Sequence, residues 1–445
     1  MTDRPDPQDA LDRILRAAPG RRDAAVALLR ALVAAQRDGE TAVQARLAEA
    51  FAAAGAAVSE HRYDPAAVPL VGEFASGRAA TPGHRTCLVG RLPGTGTGRS
   101  LILFAHPDSE PVADADRWSR DPFAGVVDGG RLYGWGVADD LAGVAAMASA
   151  VDLLRAAGLR PAGDVILAST PSKRDARGVA ALLQAGLAAD AAVYLHPAES
   201  GAGLREVKAF ASGQVEFLVT VAGRAPDTTE PHQTGFAHRA VDPVAKAMLV
   251  VDALRRLDAE RAGRIRHPLL QAAVGRSTNL LVSHLSAGSA DALSRCPTSC
   301  TVGGAVSFPP PETLDDVRRE IEAAIRAAAA GDPWLAAHPP EVQWVAGVTG
   351  AETRSGDLLF RAVAAAVSAV TGAEPFVNPM HTASDIRNPI VQKDIPTVGL
   401  GPLGGDLTQN GRTDEWVDLE DHCRMVVVAA GIVALWCGVT EAAAP

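Results

Sequence analysis

The apolar positions of this chain change period as it is read from its first residues to its last. Over 9–55, in LDRILRAA and AAVALLRALVAAQ, they recur at three- and four-residue spacing, which predicts two helices parted near Gly20 and the Arg-Arg pair after it. Over 60–94 the text turns short and punctuated, with PAAVPL, TPG and PGTGTG, as strands joined by turns are. Then come three unbroken apolar runs, in LILFA, DVILAST and AAVYLHP, separated by the helical stretches LAGVAAMASAVDLLRAAG and ARGVAALLQAG. Apolar strands alternating with helices predict an α/β fold with a largely parallel, helix-covered sheet, whose ligands lie at the carboxyl ends of the strands.

After Glu199 the texture changes. GQVEFLVTVAG alternates residue by residue, VDPVAKAMLVVDALRRL is an amphipathic helix, STNLLVSHLS and TVGGAVSF are further strands, and LDDVRREIEAAIRAAAA is a second helix. These segments have the size and variety of a separate α+β unit. Beyond Pro339 the strand–helix text returns in DLLFRAVAAAVSAV, IPTVGLG and RMVVVAAGIVALWCG. The expected organisation is a larger α/β domain in two pieces, 1–207 and 339–445, with a smaller α+β domain, 208–338, inserted between them.

Composition narrows the partners. A chain of 445 residues exceeds one compact core, and 47% hydrophobic with 21% charged residues is ordinary for a globular protein. The formal charge of −10 argues against nucleic acid, which needs a basic surface. No window reaches the roughly 18 uninterrupted apolar residues of a membrane span. The opening MTDRPDPQDA carries acidic residues and no apolar run before a cleavage site, so no secretory signal is expected. Cys87, Cys296, Cys300, Cys423 and Cys437 are scattered and odd in number, which suits reduced thiols and a cytoplasmic location. The CPTSC pair has no companion pair to complete a metal site.

Candidate chemistry gathers at the strand ends. LILFA delivers His106 and Asp108, and Asp139 and Asp140 stand just ahead of the alanine-rich helix. A histidine and a carboxylate released from neighbouring strand ends can share a metal, although Asp139 could instead cap the helix that follows. No nucleophile elbow and no phosphate-cradling glycine loop after a strand competes with this site.

The order of HPD, W..DPF, GG.LYG.G.ADD, an inserted strand–helix unit, IPTVGLGP and TDEWV resembles a zinc-dependent family of amidohydrolases and exopeptidases. That family includes acetylornithine deacetylase, succinyl-diaminopimelate desuccinylase, aminoacylase and glutamate carboxypeptidase, and the resemblance spans 101–436. It implies a co-catalytic dizinc site in the larger domain, and a smaller domain serving as lid and homodimerisation unit. In that pattern His106 is the first metal ligand, Asp108 holds its ring and Asp139 bridges two metals.

Other positions depart from the pattern. A paired Glu-Glu, one the general base and one a ligand of the second metal, is replaced in TPSKRDARG by Lys173 and Arg174. His196 in YLHPAES stands in place of a carboxylate ligand, a conservative change for zinc. The late histidine ligand falls at Gly411, the lid histidine that crosses to a partner near Pro226 or Asp227, and a substrate-binding arginine near Ser307. Lysine and arginine offer cations where a second divalent ion needs lone pairs. The expected centre is therefore mononuclear: one divalent metal, zinc foremost, held by His106, Asp139 and His196.

The base would be Lys173 with a depressed pKa, Glu199 or a histidine, with Asp108 in support. His232 and His238 in PHQTGFAH, and His381, Asp385 and Arg387 in MHTASDIRNP, would contact the substrate, His381 being the best substitute for the lost late ligand. These residues imply a metal-dependent hydrolase acting on the amide bond of a small N-acyl amino acid or dipeptide-like molecule. Two alternatives keep the fold: a non-hydrolytic enzyme, and a non-catalytic binding subunit.

Overall fold

A computed structural model describes residues 5–75, 82–96, 98–112, 115–197, 200–381, 384–404 and 413–442. Its larger unit is built on a six-stranded sheet ordered Ala57–Tyr63, Arg85–Leu92, Val165–Ser169, Leu101–Ala105, Ala192–Leu195 and Thr397–Leu400. The last four strands run parallel, and the first two close one edge in antiparallel fashion. The side chains of LILFA alternate between two cores. Leu101, Leu103 and Ala105 pack into the core that holds helices Ala142–Ala156 and Leu419–Cys437, whereas Ile102 and Phe104 face the core of helix Gly178–Gln184. Burial on both faces is why the strand reads as an unbroken apolar run rather than an alternating one.

The first 55 residues differ from the expectation of two helices. Three are present, Pro7–Ala17, Arg22–Ala35 and Glu40–Ala53. The second break falls at Gly39, whose φ of +89° lies where residues with a Cβ are strained.

The smaller unit is a five-stranded sheet ordered Asn279–Ala287, Ser299–Phe308, Gly213–Ala222, Glu341–Val348 and Glu73–Ala75. Val215, Phe217, Val219 and Val221, the inward half of an alternating strand, pack with the helices Pro243–Arg264 and Leu314–Ala330. Two of its strands lie outside 208–338. Glu341–Val348 pairs with Gly213–Ala222 along its length, and Glu73–Ala75 is borrowed from the amino-terminal segment. Neither was assignable from periodicity, because a strand's partners are set by the fold and not by its own pattern. The molecule is thus an α/β protein with a mostly parallel central sheet and an inserted smaller α+β unit. Among the described residues no helix is long and apolar enough to cross a membrane.

Candidate metal centre and catalytic cleft

Two parallel strands release their histidines side by side. His106 follows Leu101–Ala105 and His196 follows Ala192–Leu195, so the rings lie 5.6 Å apart between centroids. Both aim Nε2 at one oxygen: Asp139 Oδ1 is 2.9 Å from His106 Nε2 and 3.1 Å from His196 Nε2. Asp139 is held from behind. The buried Glu415 carboxylate accepts the amides of Gly136, Ala138 and Asp139 at 2.9, 2.8 and 3.1 Å. Burial and the charge of Asp139 push Glu415 up to about 7. Gly136 has to be glycine, since its φ is +69° and a Cβ would collide with the Ser109 hydroxyl.

Asp108 braces the other side. Its carboxylate accepts the amides of Ser172 and Lys173, each at 2.8 Å, and Arg85 Nη2 at 2.9 Å, while its carbonyl oxygen lies 2.9 Å from His106 Nδ1. Arg85 in turn pairs with Glu40. Burial opposes charge on His106, but its hydrogen bonds to Asp108 and Asp139 hold it well above the usual imidazole range. Burial likewise opposes ionisation of Asp139, and the two histidines and the Lys173 charge overcome it, holding Asp139 well below the usual carboxylate range. His196 goes the other way: burial and the neighbouring Lys208 ammonium lower it to about 3, so its ring is neutral.

The neighbouring Lys173 and Arg174 part company. Lys173 turns inward with Nζ 2.5 Å from Asp139 Oδ2, whereas Arg174 is 42% exposed and lies 3.9 Å from Glu110. Burial would lower Lys173, yet the Asp139 charge outweighs it and raises the lysine. That corrects the expectation of a depressed pKa and a basic amine. A cation tied to a carboxylate cannot take a proton from water.

The cleft above these groups encloses about 280 Å³ and is also lined by Ser172, Tyr194, Lys208, Ser384, Asp385 and Arg387. Asp385 accepts the Ser172 hydroxyl at 2.6 Å and the Asn388 amide at 2.9 Å, and Arg387 Nη2 meets Glu73 at 2.6 Å. Three other expected residues stand apart from the cleft lining. His381 is buried with Nε2 2.7 Å from Glu206 and is not among the donors that converge with His106, Asp139 and His196 in the described residues. His232 and His238 are exposed on the segment after Gly213–Ala222, where His232 meets Ser294. That is the end of the strand remote from Gln214, whose partner Val348 lines the cleft. Glu199, and Gly411 at the position of the late histidine, lie outside the described residues.

Sequence reasoning missed Ser172, Lys208, Arg85 and Glu415. Only Glu415 carried a signal, as part of the TDEWV landmark.

One donor atom from each of His106, Asp139 and His196 converges, all within 4.8 Å of one another, which fits one divalent ion. The other Asp139 oxygen is paired with the Lys173 ammonium. Fold and centre together define a two-domain α/β hydrolase of the metallopeptidase class. Residues 102–434 match the profile of peptidase family M20/M25/M40, and the chain belongs to that family of metal-dependent enzymes acting on amide bonds.

Relatives include the succinyl-diaminopimelate desuccinylase of Phenylobacterium zucineum, 30% identical over 349 residues that cover 76% of this chain and 84% of that protein. The N-formyl-4-amino-5-aminomethyl-2-methylpyrimidine deformylase of Halalkalibacterium halodurans is 23% identical over 77% of this chain and 81% of its own length. Among solved structures, the aminopeptidase PepT of Bacillus cereus superposes with a TM-score of 0.67 at 17% identity, covering 93% of this chain and 98% of that one.

Proposed function

We propose that this chain hydrolyses the amide bond of a small N-acyl amino acid or dipeptide-like substrate, using one divalent ion, zinc, held by His106, Asp139 and His196. The observation that carries this reading is the division of the Asp139 carboxylate, with two imidazoles at Oδ1 and the Lys173 ammonium at Oδ2. When bound, the ion would supply Lewis-acid polarisation of the amide carbonyl. Asp108 keeps the His106 ring in the orientation that leaves Nε2 for the ion. Lys173 contributes a second positive charge beside it, placed to stabilise oxyanion charge. Because Lys173 is an ammonium, the proton acceptor falls to Asp385, the described lining carboxylate outside the donor set. Ser172 and Arg387 offer a hydroxyl and a guanidinium to the substrate. Removal of a succinyl or formyl group by the relatives supports a small acyl substituent.

The test is metal content followed by activity. Purified protein dialysed against zinc should hold one equivalent per chain and cleave N-succinyl or N-formyl amino acids, and chelation should abolish the cleavage. Two equivalents would sink the single-ion centre, and none, without activity, would favour a binding protein on this scaffold.

A smaller domain of 208–338 extended by the strands Glu341–Val348 and Glu73–Ala75, a homodimer formed through it, and a cytoplasmic location belong to the same reading. Five free cysteines support the last. For the dimer, Asn279–Ala287 is an edge strand that exposes Leu281 by 61% and Leu285 by 50%, and Met248 and Leu249 are exposed on helix Pro243–Arg264, which packs beside it. Unpaired backbone next to apolar side chains is a template for a second copy. Leu281→Asp with Leu285→Asp should turn a dimer into a monomer in sedimentation at micromolar concentration, and a wild-type monomer there would refute the assignment.

A further inference from the structure

Ser172 stands at the carboxyl end of the strand Val165–Ser169, in the turn before helix Gly178–Gln184. Its backbone is fixed there, because its own amide and that of Lys173 both donate to the Asp108 carboxylate at 2.8 Å. Its hydroxyl donates to Asp385 Oδ2 at 2.6 Å, the length expected of an O–H bonded to an ionised carboxylate. The other Asp385 oxygen accepts the side-chain amide of buried Asn388 at 2.9 Å. The two oxygens of the base are thus divided: Oδ1 is anchored and Oδ2 is turned to the serine.

A hydroxyl has one proton and two lone pairs. The Ser172 proton goes to Asp385, and no donor among the described residues takes the lone pairs. Ser172 and Asp385 line the same cleft as His106, Asp139, Lys173 and His196. A hydroxyl within hydrogen-bond reach of a base, with that base held by a third group, is the arrangement that activates a side chain for covalent catalysis. The Lys173 ammonium on the neighbouring residue adds the positive charge that a tetrahedral oxyanion requires.

We propose that Ser172 is the nucleophile of this cleft and that amide cleavage passes through an acyl-serine. In the first half Ser172 Oγ attacks the carbonyl carbon and its proton passes to Asp385. The Oγ–C bond forms, and the C–N bond breaks as Asp385 hands that proton to the departing amine. In the second half water gives a proton to Asp385 and its oxygen attacks the ester, the C–Oγ bond breaks, and Ser172 regains the proton. An amine that enters in place of water receives the acyl group by the same steps, which gives the chain an acyl-transfer activity besides hydrolysis. The inference rests on the reading of the cleft as that of an amide hydrolase.

The test uses the full zinc-loaded chain and two substrates that share an acyl group but differ in leaving amine, an N-succinyl amino acid and succinyl p-nitroanilide, each with hydroxylamine present. A common acyl-serine should give succinyl hydroxamate and succinate in the same ratio from both substrates. Ser172→Ala should lower turnover by about 1,000-fold or more, the scale of losing a nucleophile, with one zinc still bound per chain. A serine that only orients Asp385 towards water would leave no shared intermediate, so ratios that differ between the substrates, or succinate alone, overturn the proposal even if Ser172→Ala does not fold. Wild-type turnover in Ser172→Ala overturns it too, and both results leave the metal-hydrolase reading intact. Cleavage of neither substrate by the wild-type protein overturns both.

Discussion

His106→Ala and Asp139→Ala should each remove the bound ion and bring amide hydrolysis down to background. Each deletes one of the three donors that converge among the described residues, where His381 is tied to Glu206. The Asp139 variant should also unfold more easily. It leaves the Lys173 ammonium and two imidazoles facing one another without their shared counter-charge, and breaking a buried pair in this way costs about 3–5 kcal/mol. Asp108→Asn separates support from ligation. It keeps the carbonyl that meets His106 but changes a carboxylate that accepts two amides and Arg85. Metal affinity should fall by about 10-fold to 100-fold, with some turnover retained at saturating metal. Metal analysis and thermal melts of the three variants check this directly, and equal metal content in all of them would rule the centre out.

The parts of this centre that were legible in the sequence are those delivered by strands. LILFA and AAVYL end in histidines, and an apolar run that stops at a polar residue places that residue at a sheet edge whatever the rest of the chain does. What was not legible depends on direction. Lys173 and Arg174 are adjacent and chemically alike, and only the turn decides which enters the cleft: Arg174 has a φ of +53° and faces outward, and Lys173 faces Asp139.

Lys208 was invisible for a related reason. It comes from a short segment bridged to Gly399, far in sequence from the histidine it contacts, and no local pattern marks it. His381 shows the converse. Its place in MHTASDIRNP suggested a substitute for the lost late ligand, but buried Glu206, held to about 2 against its own burial by hydrogen bonds from His381, Ser200 and Asn378, claims it. The boundary of the small sheet escaped in the same way, because Glu73–Ala75 joins it from a distant part of the chain.

Lys173→Met tests whether a lysine can do part of the work of a second ion. The side chain is nearly isosteric and apolar, so the change removes the charge beside Asp139 Oδ2 without opening a large cavity. If Lys173 stabilises oxyanion charge, turnover should fall by about two to three orders of magnitude, as it does when one such donor is lost, with one zinc still bound per chain. If the amine were the base, kcat/KM would fall on the acid side of its pKa, an acidic limb that disappears in the variant. The Asp139 contact, which raises Lys173 and keeps it protonated, predicts no such limb. Lys173→Glu goes further. It puts a carboxylate against Asp139, two like charges that repel unless a cation lies between them, and so favours a second ion at the place the ammonium vacates. Zinc stoichiometry should rise above one per chain at millimolar zinc, and the melting temperature should become zinc-dependent over the same range. A Lys173→Met protein with wild-type turnover, or a Lys173→Glu protein that holds one ion at every zinc concentration, would show that the lysine merely fills space beside Asp139.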